Sequence, residues 1–158
     1  AYKGIMALVY RGRCHDFVQG TTIDIVKGMD EAPDIHHIFP EAYCVKMGYK
    51  KEKWNSIVNK TPLLPESNRQ IGGEAPSVYS KRVMRKAEID EAAWRSRVES
   101  HLVDYDPFIT DDFDGYFIAR AKSIMKVIEA AMGKNIADKG SEQTISIYGV
   151  SLEDQAEA

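Results

Sequence analysis

The sequence predicts an α+β chain in which a small strand–loop–strand–helix unit is embedded in a mainly α-helical domain. Three observations carry that expectation. Residues 34–39 read as a short strand, and Pro40 ends it because proline has no amide hydrogen to give to a ladder. A second extended segment, 57–64, runs straight into Pro65, a residue suited to the first turn of a helix. Finally, in 111–132 the residues Phe113, Phe117, Ile124, Ile128 and Met132 make one apolar stripe, and Gly133 supplies a stop.

The remaining elements follow in order. Residues 2–10 place Tyr2, Ile5, Met6 and Val9 at helical spacing, and Gly12 ends that helix. Residues 16–22 contain Gly20 and read as a turn; 23–26 are a short apolar piece that suits a strand or a helix start, and 28–33 a polar loop. After Pro40, residues 41–47 read as a helical turn or two closed by Gly48, and 49–56 as a basic, aromatic-containing connection. A short helix from Pro65 through Ile71 stops at Gly72-Gly73. A basic helix is expected over 77–86, and another over 88–103 with Ile89, Ala93, Val98 and Leu102 roughly on one face, ended by Pro107. The expected domain is residues 1–134, with its strand–strand–helix core at about 34–73 and a helical surround at 1–12 and 77–133. Residues 135–158 form a partly flexible extension with a frayed acidic end from Glu153. The chain opens on Ala-Tyr-Lys-Gly-Ile-Met without an initiator methionine, which predicts a C-terminal piece of a longer protein.

Bulk properties narrow the function. The 158 residues are 44% apolar and 28% charged, enough for one buried core. No apolar run approaches the roughly 20 residues that span a bilayer. Two cysteines, Cys14 and Cys44, without a CxxC pair, exclude a four-cysteine zinc knuckle and predict reduced thiols. The net charge of −3 argues against a strongly basic nucleic-acid binder, but it is unevenly spread: +7 over residues 46–86, −2 before and −8 after. A basic middle is the footprint of a phosphate-binding site, and equally of a solvated charged face.

The chemistry concentrates in DIHHIFP, residues 34–40, and NKTPLLPESNRQIGG, residues 59–73. A neutral imidazole can ligate a divalent metal or take a proton from water near neutral pH. An asparagine amide oxygen can bind a hard cation such as Mg²⁺, which keeps several waters and needs few protein ligands. One ligand, one general base and a second ligand from a following helix suffice to hydrolyse a phosphodiester. The expected phosphate-facing cations are Lys50, Lys51, Lys53, Lys60, Lys81, Arg82, Arg85 and Lys86, with Arg69 either on phosphate or merely exposed. His15 and His101 read as structural, Trp54 and Trp94 as packing residues, and Tyr79 as core.

DIHHIFP followed by SIVNKTPLLPESNRQIG resembles the HNH, or ββα-metal, nuclease motif, and the spacing of nine between Asn59 and Asn68 is similar to that in CRISPR effector HNH domains. Together with the ending ARAKSIMKVIEAAMGK, these segments resemble the C-terminal nuclease domain of GmrSD-type modification-dependent restriction endonucleases. The likeness spans roughly residues 1–134, its specific motifs falling within 34–76. It implies His37 as general base, His36 and Asn68 as metal ligands, and Asn59 as the central asparagine that fixes the loop and helps orient the base. Many members carry Asp or Glu where this chain has His36. The implied cofactor is one divalent ion, Mg²⁺ foremost; that departure implies lower affinity or a lean toward Mn²⁺, Co²⁺, Ni²⁺ or Zn²⁺, with Asp34, two residues earlier on the same strand face, able to supply the carboxylate as a ligand or as a partner of one. The resemblance further implies a DNA endonuclease that nicks double-stranded, modified DNA, cytoplasmic, in a bacterial or archaeal restriction or antiviral system, served by an N-terminal NTPase or sensor half. The competing expectation is a catalytically weak or inactive HNH-like DNA-binding or assembly module. A third is an RNA-directed nuclease.

Overall fold

The structure, a computed structural model, describes residues 2–23, 34–133 and 136–153. Within them the chain is helix-rich α+β with one two-stranded antiparallel sheet. Helix α1 (Tyr2–Arg11) leads through a turn to β1 (Asp34–His37), α2 (Glu41–Met47) and the single-turn α3 (Lys51–Trp54). A 3₁₀ turn at Ile57–Asn59 then enters β2 (Lys60–Leu63). Six helices follow: α4 (Pro65–Ile71), α5 (Pro76–Ala87), α6 (Glu91–Glu99), α7 (Tyr105–Ile109), α8 (Phe113–Met132) and α9 (Glu142–Tyr148). Among the described residues no helix is long and apolar enough to cross a membrane. The expected pieces beyond Ile23, over 28–33 and after Glu153 lie outside the described residues.

The two strands pair Asp34 with Leu63, Ile35 with Pro62, His36 with Thr61 and His37 with Lys60. Strand β2 is shorter than expected, because residues 57–59 form the 3₁₀ turn instead. The Ser56 hydroxyl accepts from the Val58 amide, and Asn59 turns inward before the chain extends. The connection over 49–56 likewise contains α3 rather than only loop.

The expected helix over 88–103 is shorter and displaced. Glu88 adopts a left-handed φ of 54° that ends α5, and the Asp90 side chain caps α6 by accepting from the Ala93 amide at 2.8 Å. Pro107 does not break a helix but lies in the first turn of α7, where a missing amide hydrogen costs no intrahelical bond. The extension past 134 also contains a helix, α9, capped by the Ser141 hydroxyl and closed at Gly149 with φ 80°. It packs on the domain: Tyr148 stacks on Phe117 with ring centroids 5.4 Å apart, and Leu152 is buried in the main core.

That core runs from Ile38, Phe39 and Leu63 of the strand unit through Tyr79, Trp94, Phe108, Phe113 and Phe117. The helices therefore hold the strand unit from behind. Arg120, fully buried on α8, donates its guanidinium hydrogens to the carbonyls of Val58, Lys60 and His101. A buried cation spent on three carbonyls is a clamp, binding α8 to the start of β2. Gly20 shows the packing from another side. Its φ is 70°, and an added Cβ would lie 2.5 Å from the guanidinium of Arg97, which donates to the carbonyls of Phe17 and Val18.

Candidate metal and catalytic site

Adjacent residues of a strand face opposite ways, so the two histidines of β1 meet different surroundings. His37 is half-buried on the face toward α3. Its Nε2–H donates to Oδ1 of Asn55 at 3.0 Å, and its ring meets Trp54 edge-on, with centroids 5.5 Å apart at 71°. With Nε2 carrying the hydrogen, Nδ1 has the lone pair. A positioned imidazole of this kind can accept a proton from water.

His36 lies over Thr61, its partner across the ribbon. Its side chain is only 15% exposed, and Nε2 is buried without a hydrogen-bond partner. The Asp34 carboxylate approaches that nitrogen at 3.8 Å. Burial holds the His36 pKa below its ordinary value; Asp34 pulls it up and His37 pushes it down, and neither outweighs burial. A neutral imidazole with an unsatisfied buried nitrogen is what a ligand-binding histidine offers, and it is a costly arrangement otherwise.

Asn59, expected to fix the loop and help orient the base, is wholly buried. Its Oδ1 accepts from the Phe39 amide at 2.9 Å and from the Tyr116 hydroxyl at 3.0 Å; its Nδ2 donates to the carbonyls of Phe39 at 2.9 Å and Trp54 at 2.8 Å. It thus ties the HIFP turn to the end of α3, the two segments that hold His37 and its ring partner. The Tyr79 hydroxyl donates to the Ile38 carbonyl and fixes the same turn from α5.

Asn68 sits half-buried on α4, the helix directly after β2. Among the described residues no hydrogen bond joins its side chain to His36 or His37. The position of α4 is set by Asp16, which is fully buried. Asp16 accepts from the Leu64 amide at the start of the helix and from the Ser67 hydroxyl, at 2.9 and 2.7 Å. Among the described residues no group of three or more His, Cys, Asp and Glu side chains is arranged to hold a metal. The expected set needs only His36, Asp34 and the amide of Asn68. The orphaned His36 nitrogen fits one donor of that set.

The cations divide. Lys50, Lys51, Lys81 and Arg85 are exposed. Others are engaged within the fold. Lys53 pairs with Asp114 at 2.7 Å and lies over the Phe117 ring, and Arg69 pairs with Glu66 at 2.6 Å. Arg82 donates to the carbonyls of Gln70 and Ile71 and pairs with Glu74, closing the end of α4, while Lys86 reaches Glu66 at 3.8 Å. Lys60 is half-buried opposite His37.

Sequence reasoning missed Asn55, Asp16, Tyr79 as a hydrogen-bond donor, and Arg120. Arg120 alone left a readable trace: it falls between Phe117 and Ile124 on the apolar stripe of α8, where a charge signals a buried clamp. His15 and His101 are structural in geometry. The first holds the Gly20 carbonyl through Nδ1; the second donates from Nε2 to the His15 carbonyl and accepts from Thr61 at Nδ1. Cys14 and Cys44 are buried and free, and burial raises both thiols to about 12, so neither is a ready nucleophile.

Comparison with known proteins adds a relative but no function. Uncharacterized protein MJ0686 of Methanocaldococcus jannaschii is 35% identical over 83 residues, which is 52% of this chain. The aligned stretch covers 13% of that relative, a much longer protein. No family model and no solved structure matches the chain.

Proposed function

We propose that the chain is a divalent-metal-dependent DNA endonuclease of the HNH superfamily, nicking one strand per event as the effector of a restriction or antiphage system. The observation that carries this reading is the locked turn after β1. His37 is held by Asn55 and Trp54, its flanking backbone is held by Asn59, and on the opposite strand face His36 keeps an unpartnered buried nitrogen beside Asp34. The antiparallel strands and the helix bearing Asn68 supply the strand–strand–helix frame that such a site needs.

His37 takes the proton of the attacking water at Nδ1, while Asn55 keeps the other nitrogen protonated and the ring in place. His36 and Asn68, with Asp34, would hold the ion. When bound, a divalent metal would neutralise charge on the scissile phosphate and on the departing 3′ oxygen. Lys50, Lys51, Lys81 and Arg85 contact phosphates and position the duplex without reading its sequence. Target choice would belong to an N-terminal NTPase or sensor half.

The alternative, a non-catalytic DNA-binding or assembly module, draws on His36 standing where many members of the superfamily have a carboxylate, and on the internal pairing of Lys53, Arg69 and Arg82. Plasmid nicking with Mg²⁺, Mn²⁺ or EDTA separates the two. The endonuclease reading expects metal-dependent open circles; DNA binding without nicking in any metal, in the full-length protein, would favour the alternative.

A further inference from the structure

We propose that the groove between the α2–α3 turn, the start of α8 and the end of α9 binds an unpaired nucleotide of a DNA strand, its base on Tyr49 and Tyr148 and its phosphate on Lys50. The inference takes only the partner, DNA, from the reading above.

The groove is open and has a volume of about 420 Å³, within the range of sites that take small ligands. Tyr49, Lys50 and Lys53 line it from the α2–α3 side, and Ile147, Tyr148 and Val150 from α9 and the turn after it. Two half-buried rings offer a platform. Tyr49 is stacked on Phe113, with centroids 4.6 Å apart at 21°, and Tyr148 on Phe117, 5.4 Å apart at 28°. A ring already held by a second ring has little freedom left to lose, so a base stacked on it keeps most of the contact energy.

The charges divide the work. Asp114 holds Lys53 at 2.7 Å, and that ammonium lies 5.9 and 5.4 Å from the centroids of Phe113 and Phe117, so Lys53 braces both ring pairs. Lys50 is exposed and forms no ion pair among the described residues, which leaves it as the cation for a phosphate. The Asp114 carboxylate, 70% exposed, can accept from the N–H groups of a base edge. An apolar peptide in the same place would desolvate Lys53 and Asp114 without replacing their water.

Helix α9 buries no side chain of its own, and Ile147 and Val150 stay 52% and 44% exposed at the rim. Tyr148 and the buried Leu152 hold it where it completes the groove. The groove and the candidate site share α3: Lys53 lines the groove, and the next two residues, Trp54 and Asn55, hold His37. Inside a duplex both faces of a base are covered by its neighbours, so only an unpaired or extruded base can lie on these rings.

The test is fluorescence anisotropy with a labelled oligothymidine and with a blunt duplex of equal length, in EDTA so that nothing is cut. Wild type is expected to bind the single strand more tightly than the duplex. Tyr148→Ala is expected to weaken single-strand binding about tenfold, the worth of one stacked base, with duplex binding unchanged; Tyr148→Phe should restore it. Ile147→Glu places a negative charge at the exposed rim without touching the core. It should keep the wild-type unfolding curve and weaken single-strand binding about threefold or more. Equal wild-type affinity for single strand and duplex would overturn the proposal, as would wild-type single-strand affinity in either Tyr148→Ala or Ile147→Glu. A wild-type dimer in sedimentation that Ile147→Glu dissolves, with DNA binding unmoved, would assign the groove to a second copy instead. Single-strand preference through the groove without nicking in any metal would uphold the proposal and refute the nuclease reading. Metal-dependent nicking by a protein with no single-strand preference would do the reverse.

Discussion

Replacing Asn59 by alanine separates a structural from a chemical role for that residue. The substitution removes the acceptor for the Phe39 amide and the donors to the Phe39 and Trp54 carbonyls, all inside the protein. Tyr116 keeps a second acceptor, the Val58 carbonyl at 3.4 Å, so its hydroxyl is not stranded. Two buried groups, the Phe39 amide and the Trp54 carbonyl, are left unsatisfied, while the Phe39 carbonyl keeps the Cys44 thiol at 3.6 Å. An unmade buried hydrogen bond costs about 1–3 kcal/mol, with carbonyls at the lower end, so the sum is roughly 2–4 kcal/mol. That is a large part of the 5–15 kcal/mol that ordinarily holds a domain. Urea unfolding at pH 7.5, followed by tryptophan fluorescence, measures it, since Trp54 accepts one of the lost bonds. A loss below about 1 kcal/mol would refute the view that Asn59 acts by clamping the turn. A rate defect at full stability would return it to the chemistry.

Other outcomes follow from the same geometry. His101 is buried with its pKa lowered to about 3, chiefly by desolvation. Its unfolded pKa is about 6.5, so below that pH the unfolded chain takes a proton that the native state refuses, and stability falls as pH drops toward 3. This histidine alone predicts a loss of about 2 kcal/mol between pH 7.5 and pH 5. His101→Gln should flatten that dependence, and an unchanged pH profile of denaturant midpoints would contradict it. Lys50→Ala and Lys51→Ala should each reduce the salt slope of DNA binding by roughly one, measured by fluorescence anisotropy. Lys53→Met should leave that slope almost unaltered and instead cost roughly 1 kcal/mol of stability, because its ammonium is held by Asp114.

The legible parts of the fold were those with local physical causes. Pro40, Pro65, Gly48 and Gly133 mark boundaries through their own backbone chemistry, and they stand at the ends of α2, α4 and α8 as expected. The stripe of α8 is written in its spacing, and Phe113, Phe117 and Ile124 are buried. What the sequence hid depends on tertiary partners. Nothing local says that Asp90 caps α6 or that Glu88 accepts a left-handed φ, so 88–103 read as one helix. Residues 57–64 read as one extended segment; a 3₁₀ turn occupies 57–59 instead, with the Asn59 side-chain amide bonded to the carbonyls of Phe39 and Trp54. The site shows the same split. The adjacency of His36 and His37 is visible in the chain, but their opposite faces and unlike environments come from pairing with Thr61 and Lys60. Asn55 in Trp-Asn-Ser carries no signal of its bond to His37. Lys53, Arg69 and Arg82 count as free cations in a charge tally until Asp114, Glu66 and Glu74 are brought beside them.

The central claim, that His37 is the base of a metal-dependent phosphodiester hydrolysis, is tested most directly by conversion of supercoiled plasmid to open circle. Wild type and His37→Ala are to be compared at matched folding, in Mn²⁺, in Mg²⁺ and in EDTA. The expected result is nicking by wild type with metal, none in EDTA, and a rate lower by roughly a hundredfold or more in His37→Ala, the usual worth of a positioned general base. Nicking that continues in EDTA, or at the wild-type rate in His37→Ala, would contradict it.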